Sequence, residues 1–401
     1  MSVPALPPLP SVTQNIPNHF ALQISKYVTR VLGQNPGKFT LQGTNTYLIH
    51  HPSSPSLILL DSAQGIPSYL PHLRSAIISH PTQPARVTDI LISHWHHDHT
   101  DGLSGVLALL DELDATGSGV RVWKHASSED DRNKDEEVER KLESVGDKAV
   151  QRPKIGSDSL IPSGRIHRLE ANEAFHISAE AETLELQVVH APGHTTDSIS
   201  LLLRTFPTTA DSVTLAPPGT PPLALFTFDT VLGHGTAVFS DLSAYMTSLG
   251  SLISLLSPSA ASPSSPLAKD NPPVPIYPGH GEVIVNGLAK LREYKRHREE
   301  REEQVVEALR EAPSEQGLTA RRLTDAIYGA TIPSSLKPAA TRGLLLHLAK
   351  LERDGVVLRR EGGADEQTEG VQASEVDLPE GWWDAWTWVG GEAGEAKVWR
   401  M

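Results

Sequence analysis

Apolar residues in this chain come in short runs, most of which end on a polar or acidic residue or in a turn. Between Val28 and Ile49 two extended segments flank Gly33-Gln34-Asn35-Pro36-Gly37, and that turn composition predicts a hairpin. Leu57 to Leu60 reads as a buried strand ending in Asp61-Ser62-Ala63. Ile66 to Ser79 spaces Leu70, Leu73 and Ile77 at helical intervals. Val87 to Ser93 predicts another strand, and Thr100 to Leu113, with Leu103, Val106, Leu107 and Leu110 on one face, a helix. Val120 to Trp123 is a further strand. The charge-dense stretch Ser127 to Ala149 reads as a solvated loop and helix, a candidate cover for a nearby site. Strands are expected near Arg165 to Leu169, Leu184 to His190, Ser198 to Leu203 and Leu223 to Phe228, with an irregular Pro/Thr-rich insertion at Pro207 to Pro222. Ser240 to Leu256 predicts a helix with Ser240 as N-cap and Leu242, Tyr245, Met246, Leu249 and Ile253 as its apolar stripe. The low-complexity segment Ser257 to Pro273 is expected to be a flexible loop, and the run Val274 to Tyr277 follows it.

The pattern then changes character. Leu288 to Arg310, Leu318 to Tyr328 and Pro338 to Asp354 read as helices, and Val356-Val357-Leu358 as a strand, an arrangement resembling a small winged helix. Such a module serves nucleic-acid binding or, equally, packing and dimerisation. Glu361 to Glu380 is a Gly/acid-rich linker, and five of the seven tryptophans lie between Trp382 and Trp399. That tail is too apolar to float free and is expected to pack back on the protein or on a partner, a homodimer being one such arrangement. The expected organisation is an N-terminal arm (1–25), a main α/β domain (26–285), a winged-helix-like domain (286–360) and a linker with a Trp-rich tail (361–401).

At 401 residues the chain suits one large catalytic domain with a smaller appendage. A net charge of −14 offers no global attraction to nucleic acid or anionic membrane. With no cysteine there is no disulfide, no thiolate nucleophile and no Cys-ligated zinc, so any metal site must be built from His, Asp and Glu. Met1 to Pro17 is proline-rich and has no basic residue, which is unlike a secretory or transit signal, and no run approaches the ~18 apolar residues that span a bilayer. These features lead to the expectation of an intracellular, cytoplasmic protein without a membrane anchor.

Candidate chemistry concentrates where apolar runs end. Ser93-His94-Trp95-His96-His97-Asp98-His99 packs histidines and a carboxylate into a tight loop directly after a strand, a spacing that suits zinc and its neighbours in the first transition series. Ala191-Pro192-Gly193-His194 and Pro278-Gly279-His280 are turns that present His194 and His280 at strand ends. Asp229 ends another apolar strand, where a lone buried carboxylate needs a metal or a hydrogen-bond network. His94, His96 and His194 can surround one ion and Asp98, His99 and His280 a second, with Asp229 bridging. Two such ions roughly 3.5 to 4 Å apart can share one hydroxide that attacks an ester, thioester, amide or phosphodiester. Asp61 is read as a carboxylate that orients ligand histidines or as a turn aspartate. His97 and His190 are read as structural or surface residues.

This pattern, His-x-His-x-Asp-His followed by His, Asp and His at later strand ends, resembles the metallo-β-lactamase superfamily. A closer likeness rests on Leu41-Gln42-Gly43-Thr44-Asn45-Thr46-Tyr47-Leu48, Phe228-Asp229-Thr230-Val231-Leu232-Gly233-His234-Gly235, Ser243-Ala244-Tyr245-Met246 and Leu344-Leu345-Leu346-His347-Leu348. These segments resemble the lactamase-beta-2-like group and the related fungal lactamase-like thioesterases of polyketide clusters. The resemblance implies an α/β fold, an αββα sandwich with a di-metal site at one edge and a C-terminal winged-helix-like domain. It also implies metal ligands His94, His96, Asp98, His99, His194, Asp229 and His280, with Asp98 catalytic, and two Zn2+ ions, with Mn2+ or iron as alternatives. Two departures stand out: Asp61-Ser62-Ala63 replaces the family's more usual Asp-Thr-Gly, and Phe228 replaces the usual Gly before the bridging aspartate. The favoured activity is a thioesterase that frees an acyl or polyketide chain from an acyl carrier protein. The alternative is a single-strand-specific endoribonuclease with Lys295, Arg296, Arg298 and Arg301 contacting RNA.

Overall fold

The computed structural model describes residues 20–388 except 115, 154–157, 163, 209–214, 258–271, 313–316, 330–331, 334–336 and 361–384. The loop expected at Ser257 to Pro273 and the linker expected at Glu361 to Glu380 therefore lie almost wholly outside the described residues. Two compact units divide between Tyr294 and Lys295, within helix α6 (Gly287–Glu311).

The larger unit holds two sheets. The first, in spatial order β1 (Ala21–Ser25), β2 (Val28–Leu32), β3 (Asn45–His50), β4 (Ser56–Leu60), β5 (Arg86–Ile92), β6 (Arg121–His125) and β7 (His167–Leu169), is antiparallel up to β4 and parallel beyond it. Ala21–Ser25, expected within an N-terminal arm, is its edge strand, since Ala21, Leu22 and Gln23 pair with Val31, Arg30 and Thr29. The second sheet runs β12 (Ile276–Pro278), β11 (Ala224–Phe228), β10 (Ile199–Pro207), β9 (Glu182–His190) and β8 (Ala174–Ser178). Alternation along the strands puts Tyr47, Ile49, Ile58 and Leu60 of the first sheet and Leu186, Val188, Leu201, Leu203 and Phe226 of the second into one core. Helices α1 (Tyr69–Ile78) and α3 (Leu103–Leu113) bury Tyr69, Leu73, Ile77, Val106, Leu107 and Leu110 against the other face of the first sheet. Helix α5 (Leu242–Leu256) is tied to the β9–β10 turn by Ser248 Oγ donating to Pro192 O at 2.7 Å. The layers are those of an αββα sandwich.

Local chemistry corrects two expectations. The N-cap of α5 is Asp241, whose carboxylate accepts from Ala244 N at 2.9 Å, while Ser240 bonds Gly193 O instead. The single helix expected from Thr100 is divided into α2 (His97–Thr100) and α3 because the backbone at Gly102 lies against Ser62, where a Cβ would sit 1.9 Å from the carbonyl oxygen.

In the smaller unit α7 (Ala320–Tyr328) and α8 (Lys337–Arg353) pack with a three-stranded sheet ordered β13 (Leu318–Thr319), β15 (Ala385–Trp388) and β14 (Val357–Arg360). The tail contributes its central strand, and Trp386 is buried among Val305, Leu323, Leu348 and Val357. The tail, expected to pack back on the protein or on a partner, thus supplies a strand that pairs with both β13 and β14. Among the described residues no helix is long and apolar enough to cross a membrane.

One titration is built into the first sheet. His50 is buried beside His80, its ring 5.4 Å away, and burial with that neighbour pushes its pKa down from 6.5 to about 4. The unfolded chain therefore takes up this proton first, and stability falls as pH drops from about 6.5 toward about 4. His50→Gln is expected to flatten melting temperature across that window; a variant as acid-sensitive as the parent contradicts the assignment.

Candidate metal centre

The seven residues singled out by the strand-end pattern converge at one edge of the sandwich. His94, His96, Asp98 and His99 follow β5 of the first sheet, while His194, Asp229 and His280 follow β9, β11 and β12 of the second. Hydrogen bonds fix the two edges together: Ile199 N donates to Ser93 O at 3.0 Å and Asn45 N to Gly279 O at 2.7 Å. Asn45 Nδ2 also donates to Pro278 O and Gly281 O, and Tyr47 Oη to Pro278 O at 2.6 Å, so β3 holds the turn that carries His280.

Donor atoms of His94, His96, His194 and Asp229 lie within 4.8 Å of one another, and so do those of Asp98, His99 and His280. Asp229 faces both groups, with Oδ2 3.7 Å from His194 Nε2 and 3.3 Å from His280 Nε2, and Oδ1 3.4 Å from His99 Nε2. His97 is exposed and outside both groups. His190 stacks on His125 at 4.0 Å and bonds Thr196 O.

Tautomers show that this edge fits cations. His194 Nδ1 donates to Val238 O at 2.7 Å, leaving a lone pair on Nε2 that points at His96 Nδ1 3.0 Å away. His94 Nε2 points at the same atom from 2.9 Å while its Nδ1 meets Ser93 Oγ. One proton on His96 can serve only one of them, whereas a bound cation serves all three. His99 Nε2 and Asp229 Oδ1 are buried and have no hydrogen bond of ordinary geometry. Burial holds His94 well below the usual histidine range and His96 at about 3, with neighbouring imidazoles adding to the effect. Burial opposes charge on His99 and His280 too, but Asp98 and Asp229 outweigh it, holding His99 well above its ordinary value and His280 at about 9. The same pairing keeps Asp98 and Asp229 ionised despite burial. Without metal, then, two histidines carry the positive charge that the carboxylates demand.

Asp61 lies behind His99 and Ser93. Its Oδ2 accepts from His99 Nδ1 at 2.7 Å and from Ser93 Oγ at 2.8 Å, and its Oδ1 accepts from Ser93 N at 2.7 Å. Such partners typically carry a ~10–100-fold share of metal affinity. Asp61→Asn, which tolerates the local φ of +61°, is expected to weaken zinc binding by about that factor with unchanged circular dichroism; undiminished affinity contradicts this role. Both departures from the family pattern fall on left-handed backbone: Ala63 has φ +58° and Phe228 φ +47°, positions where glycine is free of strain. Phe228 is nevertheless fully buried in the inter-sheet core, and that packing holds its conformation.

Sequence reasoning missed Ser93, Thr44, whose hydroxyl reaches Asp98 Oδ2 at 3.4 Å, and the carbonyl of Val238. No spacing signal marks a serine or a backbone oxygen.

Residues 319–365 match the beta-lactamase associated winged helix domain. Over 347 residues the chain is 33% identical to the beta-lactamase-like protein 2 homolog of Drosophila melanogaster, covering 86% of this chain and 94% of that one. It is 28% identical to an atrochrysone carboxyl ACP thioesterase of Aspergillus chevalieri, with 89% of each chain covered. Among solved structures, a beta-lactamase domain protein from Burkholderia ambifaria superposes with a TM-score of 0.58 at 16% identity over 92% of this chain and 93% of that one, a likeness of fold. With 33% identity over 86% of this chain and 94% of the Drosophila relative, the chain belongs to the beta-lactamase-like protein 2 family.

Proposed function

We propose that this protein is a di-metal hydrolase that cleaves acyl thioesters, releasing an acyl or polyketide chain from an acyl carrier protein. His94, His96 and His194 would hold one ion, Asp98, His99 and His280 the other, and Asp229 would face both; zinc suits the imidazole and carboxylate donors best, with manganese or iron as alternatives. Divalent ions bound there would supply Lewis acidity toward the scissile carbonyl and lower the pKa of water. Asp98, kept ionised and 3.1 Å from His280 Nε2, would be the anionic donor of the second group and the carboxylate that orients water at the edge of the site.

The observation that carries a thioester over RNA is where the cations are. Of the four basic residues expected to contact RNA, Lys295 pairs with Glu299, Arg296 lies 3.8 Å from Glu300, Arg301 lies 4.4 Å over the Tyr328 ring, and Arg298 is buried. Near the His194 turn the loop carrying Ser128 presents exposed Glu129 and Asp130, which repel a polyanion. Val238, whose carbonyl anchors His194, exposes 61% of its surface and offers an apolar rim to an acyl chain. The thioesterase name borne by the Aspergillus chevalieri relative points the same way. The endoribonuclease reading draws on the winged-helix match and the higher identity to the Drosophila relative. Assaying the zinc- or manganese-loaded protein side by side on an acyl thioester and on single-stranded RNA decides between them. Thioester turnover is expected, and RNA turnover alone overturns the proposal.

A further inference from the structure

Lys124, the penultimate residue of β6, is fully buried, a state lysine rarely adopts without partners. Its ammonium pairs with Asp135 Oδ1 of α4 (Arg132–Arg140) at 2.5 Å and with Asp197 Oδ2 at 2.8 Å, and donates to His125 O at 3.0 Å. Asp197 is also fully buried, and neither of its oxygens accepts a hydrogen bond of ordinary geometry. The Lys124 ammonium is the opposite charge placed against it. Asp197 belongs to the short turn that carries His194 between β9 and β10. A second link joins the same elements: Thr196 Oγ1 donates to Asp131 Oδ2 at 2.8 Å and accepts from Ser128 N at 3.2 Å. At the far end of α4, Lys141 pairs with Asp101 at 2.5 Å and donates to Thr100 Oγ1 at 2.6 Å, just beyond the loop of His94 to His99. The segment 127–141 is thus fastened to the His194 turn and to the end of the His94–His99 stretch, and Lys124 is the cation at its centre.

We propose that Lys124 is a positioning residue for the three-histidine group. By holding Asp197 and Asp135 together it fixes the turn from which His194 projects, and so sets the affinity of the ion held by His94, His96 and His194. The inference rests on the di-metal reading above. A merely stabilising triad would leave the relative affinities of the two ions unchanged, so the test reads metal binding and not turnover.

Zinc stoichiometry and affinity are measured by competition with a chromophoric chelator on the wild type and on the charge-free triple variant Lys124→Met/Asp135→Asn/Asp197→Asn. The triple variant is expected to keep one zinc at wild-type affinity and to bind the second ~10–100-fold more weakly. Adding His194→Ala to it should leave the tight zinc unchanged. Two zinc ions at wild-type affinity overturn the inference, and so does equal weakening of both. Should the triple variant not fold, Asp197→Ala, which leaves Lys124 and Asp135 as a balanced pair, is read by the same criteria. A wild type that binds no zinc overturns the di-metal reading itself, whereas two tight zinc ions in wild type and variant alike overturn only the role of Lys124.

Discussion

Asp98→Ala is expected to lower kcat/KM for thioester hydrolysis by ~10³-fold or more while leaving the circular dichroism spectrum and melting temperature of the metal-free protein close to the parent's. The magnitude follows from losing several kcal/mol of metal-assisted stabilisation at about 1.4 kcal/mol per decade of rate. The fold should persist because Asp98 sits in the single turn of α2, not in the inter-sheet core, and its contacts are to His280, His99 and Thr44 at the site. Removing it leaves Asp229 as the carboxylate facing the Nε2 atoms of His99 and His280, so the second group loses an anionic donor and zinc content should fall with activity. His280→Ala should behave alike, and chelation of the parent should reproduce the loss and be reversed by added zinc. A purified, metal-analysed Asp98→Ala protein with full activity would remove the basis for the proposed function.

Gly193→Ala should strike stability and site together. At φ +134° the backbone is one that L side chains rarely adopt, and a Cβ there would lie 2.4 to 2.5 Å from Tyr245 N, Cα and Cβ. The strained conformation costs of order 1–3 kcal/mol and the overpacking a further ~1–3 kcal/mol. Gly193 O also accepts from Ser240 N at 2.6 Å, and Gly193 N donates to Thr195 O at 3.0 Å, so relief by moving the turn would pull His194 and the start of α5 with it. The expected outcome is a large drop in the urea midpoint together with weaker zinc binding in whatever protein folds. A variant with parental midpoint and two tight zinc ions would show that the turn yields without cost.

Much of this architecture was legible because the relevant signals are local. Strand-end positions of His94, His194, Asp229 and His280 are visible as apolar runs closing on a ligand residue, and Gly before His194 and His280 signals the turns. The same locality explains the failures. Ala21–Ser25 and Ala174–Ser178 are short edge strands, each paired on one side only with the next strand in the chain and so carrying a weak apolar pattern, while the tail strand at Ala385–Trp388 is separated from β14 by the whole linker. The N-cap moved from Ser240 to Asp241 because Ser240 is already engaged by Gly193, a neighbour no helix pattern contains.

What the sequence by itself determined is the chemistry on offer: no thiolate, an abundance of imidazole and carboxylate at strand ends, and a turn glycine before His194 and before His280. Only the tertiary structure decided how these groups are held. It aimed two lone pairs at one atom of His96, placed Asp61 behind His99, put Ala63 and Phe228 in left-handed backbone, and buried Lys124 between Asp135 and Asp197. The physical reason is range. Hydrophobic period and turn propensity act over a few residues, while the pairing of buried charges depends on which strand ends the two sheets bring within hydrogen-bond reach.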